Sequence, residues 1–369
     1  MKKGYIITWH YLDNYGSVLQ AYALQEIFRN RGIDMKILNY REKAKTGILA
    51  DFLRVIKYNF PTNSSLTKRK QKFYKFRKKY LLETKMFNSI EALQDFKYNI
   101  DFIVCGSDQI WSSKRFDPVY FLDFIPDKNV KKYAYAPSTI EEYKENQKKI
   151  IGSSLELFQK ISVREALGVK ILKKITKKEV IEVLDPTLVL SIEKWEEILK
   201  SEEKINIPSE DYLICYFIGE NDKYKKVTND IKEKYNCSLI ININIKNIHD
   251  FGDEILREAS PLQFLKLIKN AKVVVSDSYH AILFSIIFNK EFYAIKRFED
   301  NEDDNQNERI NNILNKINCE NRYINANENK LDNNALLYED INNQLKKYIQ
   351  KSEDYINKII EEVKYDSNK

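Results

Sequence analysis

The chain has three histidines, and one of them, His280, stands inside "VVVSDSYHAILFSIIF", residues 273 to 288. A β-branched apolar run stops at Ser276-Asp277-Ser278, and a second apolar run with helical spacing follows at once. That pattern predicts a buried strand turning sharply into a buried helix, with His280 in the first helical turn. There the helix dipole favours the neutral imidazole, which can take a proton as a base or give one as an acid. The competing reading is a histidine held in place by Asp277 or Ser278.

Four more polar stretches follow apolar, strand-like runs. In "HYLDNYGS", His10 ends the first strand, and Asn14, Tyr15, Gly16 and Ser17 open a helix. Backbone N–H groups at such a start attract phosphate or carboxylate, and the alternative is an ordinary capped helix. The stretch has neither a G-x-G-x-x-G nor a Walker pattern, so it indicates neither a dinucleotide site nor a P-loop. In "CGSDQIW", Gly106 allows close backbone approach, and Ser107, Asp108 and Gln109 offer polar groups. Trp111 either stacks on a sugar face or is a buried core tryptophan. Arg164 in "SVRE" presents a fixed fork for a carboxylate or phosphate, or else pairs with Glu165 or another acid. The last stretch is Asp185-Pro186, where a strand should end.

The elements that must position these groups alternate between strand-like and helix-like runs throughout. "GYIITW", "MKILNY", "NIDFIVCG", "KKYAYAP" and "ISV" form one strand series; "DYLICYFIG", "CSLIINI", "KVVVSDS" and "EFYAI" form another. This alternation predicts parallel sheets covered on both faces, in two doubly wound domains. The expected division is 1–170 (carrying a basic helical insertion at about 45–98), 171–328, and a helical tail over 329–369. In open parallel sheets ligands bind beyond the carboxyl ends of the strands, which is where the polar stretches fall.

The 369 residues, 43% of them hydrophobic, exceed what one core usually holds. The net charge of +7 is local: ten Lys or Arg and no acid lie between Phe52 and Leu82. This segment reads as an amphipathic helix with a basic solvent face. Contact with anionic lipid or a lipid-linked substrate through 68–79 fits the same charges, and nucleic acid is not the expected partner. The four cysteines are scattered, without metal-ligand spacing, and no metal site is expected. No apolar run approaches the ~20 residues that span a bilayer. The N-terminus reads as a strand rather than a signal peptide, so a cytoplasmic location is expected.

Taken in order, "TWHYLDNYGSVLQAYALQ", "DFIVCGSDQIW", "YAYAPS", "ISVRE", "VLDPTLVL", "SPLQFLKLIKNAKVVVSDSYHAILFSIIF" and "NERINNILNKI" resemble the polysaccharide pyruvyl transferase family, over about residues 4 to 320. The resemblance implies two Rossmann-like domains facing across a cleft, as in GT-B glycosyltransferases. It also implies pyruvate transfer from phosphoenolpyruvate to two hydroxyls of one sugar or lipid-linked oligosaccharide, with no further cofactor. The catalytic histidine falls on His280 and a donor-binding arginine on Arg164. The remaining elbow residues, from His10 to Ser278, are the expected substrate-binding set. One departure stands out: Ser278 and Ala281 replace an arginine and a glycine of the family pattern. Lys296 or Arg297, after the next strand, would then supply the missing cation. The alternatives are a glycosyltransferase using a sugar nucleotide and a non-catalytic sugar-binding relative.

Overall fold

The computed structural model describes all residues except 43, 45–55, 126–128, 201–204, 246–247, 299–306, 328–330 and 366–369. It divides into two compact units: Met1–Phe60, Lys75–Leu190 and Lys347–Lys369 in the first; Pro61–Tyr74 and Ser191–Lys346 in the second.

The first unit holds a sheet of six parallel strands: β1 (Lys3–Ile7), β2 (Asp34–Ile37), β3 (Phe102–Cys105), β4 (Lys131–Ala134), β5 (Phe158–Val163) and β6 (Val180–Glu182), in the order β2-β1-β3-β4-β5-β6. Strands such as Phe102-Ile103-Val104-Cys105 are buried at every position, because helices cover both faces and no alternation is needed. Helix α1 (Tyr15–Arg29) follows β1 and ends before Gly32, whose φ of +79° is the left-handed turn a glycine allows. Beyond β2 the chain returns as Leu82–Phe87, with parallel bridges from Ile37 to Glu83 and from Tyr40 to Phe87. This stretch of the basic insertion therefore adds an irregular edge to the sheet. The insertion's helix α2 (Ser65–Tyr80), assigned to the second unit up to Tyr74 and to the first from Lys75, buries Phe73 and Phe76 and exposes Lys75, Lys78 and Lys79, as an amphipathic helix should.

The second unit repeats the plan with β7 (Tyr212–Tyr216), β8 (Leu239–Ile243), β9 (Glu254–Leu256), β10 (Val273–Ser276), β11 (Glu291–Ile295) and β12 (Tyr323–Ile324). All its pairings are parallel, in the order β12-β11-β10-β7-β8-β9. Helix α3 (Pro261–Asn270) is closed by a capping box of Ser260 and Gln263 and leads into β10; α4 (Tyr279–Ile287) leads out of it, buried along its first eight residues.

Two expected boundaries move. The first unit does not close at 170: β6 pairs with β5, Asp185 caps a short helical turn begun by Pro186, and the unit ends at Leu190. Residues 329–369 do not form a separate tail. Helix α5 (Tyr338–Tyr365) belongs to the second unit up to Lys346 and to the first from Lys347. Its later turns pack on the first sheet, with Tyr355 Oη donating to Ala134 O at 2.8 Å and Leu184 N donating to Ser352 Oγ at 2.9 Å.

Candidate active site

Each sheet has a switch point, where consecutive strands lie on opposite sides of a starting strand. In the first unit it falls between β1 and β3, in the second between β7 and β10. Ligands of doubly wound sheets bind at this place; the elbows after β1 and β3 meet there in the first unit, and the elbow after β10 lies there in the second.

At the first switch point, Thr8 Oγ1 donates to Ser107 O at 2.9 Å, and Ser17 Oγ donates to Asp108 Oδ2 at 2.7 Å. Gln20 Nε2 reaches Thr8 Oγ1, Trp9 O and Ser17 O, while its Oε1 accepts from Ser107 N. Asn14 caps α1 by accepting from Ser17 N at 3.2 Å, and Tyr15 and Gly16 behind it are buried. Gly106 does allow a close approach, but of Tyr135: a Cβ there would lie 1.9 Å from the Tyr135 carbonyl oxygen. Asp108 takes a left-handed φ of 69°, and the half-buried Gln109 follows it.

Trp111 does not offer a face to a sugar. It is fully buried, stacked on Phe121 at 4.9 Å between centroids, with Nε1 donating to Tyr120 O. The buried-tryptophan reading is the one this structure shows.

His10 is also fully buried. Its Nδ1 lies 3.0 Å from Thr8 O and its Nε2 lies 3.4 Å from Glu83 Oε1. Burial lowers its pKa to about 4, against an opposing pull from the Glu83 carboxylate. Sequence reasoning missed Glu83, which arrives on the irregular edge after α2.

Arg164 is 2% exposed. Its Nε donates to Glu165 Oε1 at 2.8 Å and its Nη1 to Asp185 Oδ2 at 2.9 Å. Ser138 Oγ donates to the same Glu165 oxygen, and Thr187 N and Oγ1 donate to Asp185 Oδ1. The ends of β5 and β6 are thus joined by a buried ion network. The pairing with Glu165, one of the two readings of the sequence, is present, and a substrate anion that took Arg164 as its fork would have to displace a carboxylate.

The second switch point is built around Asp277, whose side chain is fully buried. Its Oδ1 accepts from Ile218 N and its Oδ2 from Gly219 N, both at 2.7 Å, tying the end of β7 to the end of β10. Tyr224 Oη adds a third donor at 3.1 Å. Ser276 Oγ donates to Tyr216 O and accepts from Ser278 N at 3.1 Å. Ser278 occupies the cap position of α4 without a side-chain capping bond. His280 is the second residue of α4, 8% exposed, with the Tyr279 ring edge-on at 5.2 Å. The elbow therefore delivers an imidazole at the carboxyl end of β10, as its sequence predicts.

Among the described residues, no group of three or more His, Cys, Asp or Glu is placed to hold a metal ion, and no helix is long and apolar enough to cross a membrane.

Three solved structures share this two-domain α/β fold of GT-B type. They are the UDP-GlcNAc 2-epimerases of Neisseria meningitidis, bound to UDP-GlcNAc (12% identity, TM-score 0.52, 99% of this chain and 100% of that one), of Methanocaldococcus jannaschii (12%, 0.51, 98% and 99%) and of Rickettsia bellii (13%, 0.51, 99% and 97%). At such identities the likeness is one of fold alone. No curated protein sequence matches the chain. The sequence profile of polysaccharide pyruvyl transferases, however, matches residues 14–298, from the cap of α1 through the β3 side of the first switch point and the whole of the second to the residues after β11. The chain belongs to the polysaccharide pyruvyl transferase family, a family of transferases.

Proposed function

We propose that the protein transfers pyruvate from phosphoenolpyruvate to two hydroxyls of one sugar, in a cell-surface polysaccharide or its precursor. The product is a cyclic ketal and the leaving group is phosphate. The observation that carries this reading is the second switch point inside a family match that spans it: a histidine at a helix start, beside a hydroxyl that caps nothing. In the reaction one sugar hydroxyl adds to C2 of the donor and a proton goes to its methylene carbon, which becomes a methyl group. The second hydroxyl then replaces phosphate at the same carbon, and its proton leaves with the phosphate. His280 serves these proton transfers, each worth roughly 10² to 10⁴ in rate. Arg164 acts as a positioning residue, holding the ends of β5 and β6 through Glu165 and Asp185.

The donor is the only co-substrate in this scheme, and its supply suits a cytoplasmic enzyme. A lipid-linked acceptor would bring the protein to the inner face of the membrane, where the exposed Lys75, Lys78 and Lys79 of α2 favour anionic lipid by about 1 kcal/mol per charge.

The test is turnover with phosphoenolpyruvate and candidate sugar acceptors, following free phosphate and the ketal by mass spectrometry. His280→Ala should lower kcat by at least about 10² with the fold intact. A variant that retains wild-type kcat removes His280 from the mechanism. Stabilisation by UDP but not by phosphoenolpyruvate would redirect the reading to a sugar-nucleotide glycosyltransferase, and binding without turnover of any acceptor would indicate a non-catalytic relative.

A further inference from the structure

Two cations leave β11 in succession and part company. Lys296 turns towards the β12 edge, where its Nζ lies 5.9 Å from the centroid of Tyr323 and lines a cavity of about 500 Å³ with Asn321, Asn325 and Asp332. Arg297 turns back towards β10. Its Nε donates to Asp277 Oδ2 at 3.1 Å and its Nη2 to the main-chain oxygen of Asp277 at 2.7 Å. Two bonds to one residue fix the plane of the guanidinium against the peptide that enters Ser278.

The path of the side chain is reserved. A Cβ on Gly219 would lie 2.6 Å from Arg297 Cγ and 2.8 Å from Asp277 Oδ2, so a side chain at 219 would collide with both members of the pair. Asp277 already accepts from Ile218 N, Gly219 N and Tyr224 Oη, so it does not depend on Arg297 alone for hydrogen bonds. In return, the arginine has donors left over. Its Nη1 makes no hydrogen bond among the described residues, and the side chain keeps 18% exposure. The Ser278 hydroxyl is likewise without a partner among the described residues, although Ser278 is 95% buried by its 5% exposure.

We infer that Arg297 and Ser278 form an anion-binding subsite at the start of α4, taking a carboxylate or phosphate oxygen next to His280. This rests on the reading of an anionic donor given above and adds the residues that hold its charge. The arginine is presented edge-on by Asp277, so an incoming anion receives Nη1–H donors from a guanidinium that need not reorganise. Lysine at 297 would keep the charge but not both the clamp and the outward donor.

The experiment compares wild type, Arg297→Lys and Arg297→Gln in calorimetric titrations with phosphoenolpyruvate and with inorganic phosphate, alongside donor and acceptor KM and thermal midpoints. Loss of a charge-assisted hydrogen bond corresponds to roughly a tenfold to hundredfold weakening. The expected result is a donor KM raised by that factor in Arg297→Lys, with acceptor KM within about twofold and an unchanged thermal midpoint. A wild type that turns over phosphoenolpyruvate, with an Arg297→Lys donor KM equal to wild type, overturns the subsite and leaves the proposed reaction standing. Phosphate binding that depends on Arg297, without turnover of phosphoenolpyruvate, supports the subsite and sinks the reaction. If wild type binds neither anion, the subsite is overturned. Should Arg297→Gln fail to fold, Arg297→Lys, which retains a cation for Asp277, still decides the matter.

Discussion

The two units solve the same topological problem around a carboxylate each, with different partners for its charge. At the β1/β3 switch point the gap is closed by hydroxyls and an amide, Thr8, Ser17, Ser107 and Gln20, around one carboxylate, Asp108. A buried arginine of that unit, Arg164, is sealed between two acids. At the β7/β10 switch point a single carboxylate collects two backbone amides, a phenol and an arginine, and that arginine keeps 18% exposure. A buried charge whose partners are all internal mainly serves the fold. A charge held on one side and open on the other is ready for a ligand.

The contrast can be broken most forcefully at Arg164. Arg164→Met leaves Glu165 and Asp185 buried without their cation, and should lower the stability of the first unit by about 3–5 kcal/mol. Urea unfolding, followed by the fluorescence of Trp9 and Trp111, measures this. A variant that keeps wild-type stability and loses only donor affinity would make Arg164 a ligand-binding group and erase the distinction between the units.

The next effect is in pH. His10 is held near a pKa of about 4, below its ordinary 6.5, chiefly by burial. The unfolded chain therefore binds a proton that the folded chain refuses. The stabilisation is fully present above pH 6.5 and is lost as pH falls from there through 4, with a span of about 3 kcal/mol. Urea midpoints between pH 7 and 4 should fall in wild type, and His10→Gln should flatten that part of the slope. Equal slopes in both proteins would mean that His10 is protonated alike in folded and unfolded chains.

The finest comparison pairs the two carboxylates. Asp108 accepts from Ser17 Oγ and from Gln109 N, the latter at 2.9 Å, so Ser17→Ala removes one of two donors and should cost about 2 kcal/mol. Tyr224→Phe removes one of four donors to the side chain of Asp277 and should cost about 1 kcal/mol or less. Thermal midpoints rank the two. If Tyr224→Phe proves the more damaging, Asp277 is less well provided than its geometry indicates.

Much of this was legible in the sequence, because strand–helix alternation and polar breaks are local signals. The apolar run 273–275, the elbow at 276–278 and the helix carrying His280 all follow from their own residue types. The clamp on Asp277 was not legible, since its donors come from the end of β7, nearly sixty residues earlier, and from Arg297, twenty residues later. The role of Trp111 depended on Phe121, which only the fold brings against it. The unit boundary was missed because β6 is three residues long, too short for its pattern to show which sheet it joins.

The last turns of α5 carry a consequence for how the chain is made. Ser352 and Tyr355 complete hydrogen bonds to Leu184 and Ala134, and Ile356 and Ile359 are wholly buried in the first unit. These residues emerge from the ribosome after the entire second unit. The first unit is therefore completed only after the second has been synthesised, and a nascent chain carries an open face on its first sheet until residues 347–365 have been made. Truncation at residue 346 should accordingly destabilise the first unit, the part of the molecule farthest from the cut in sequence.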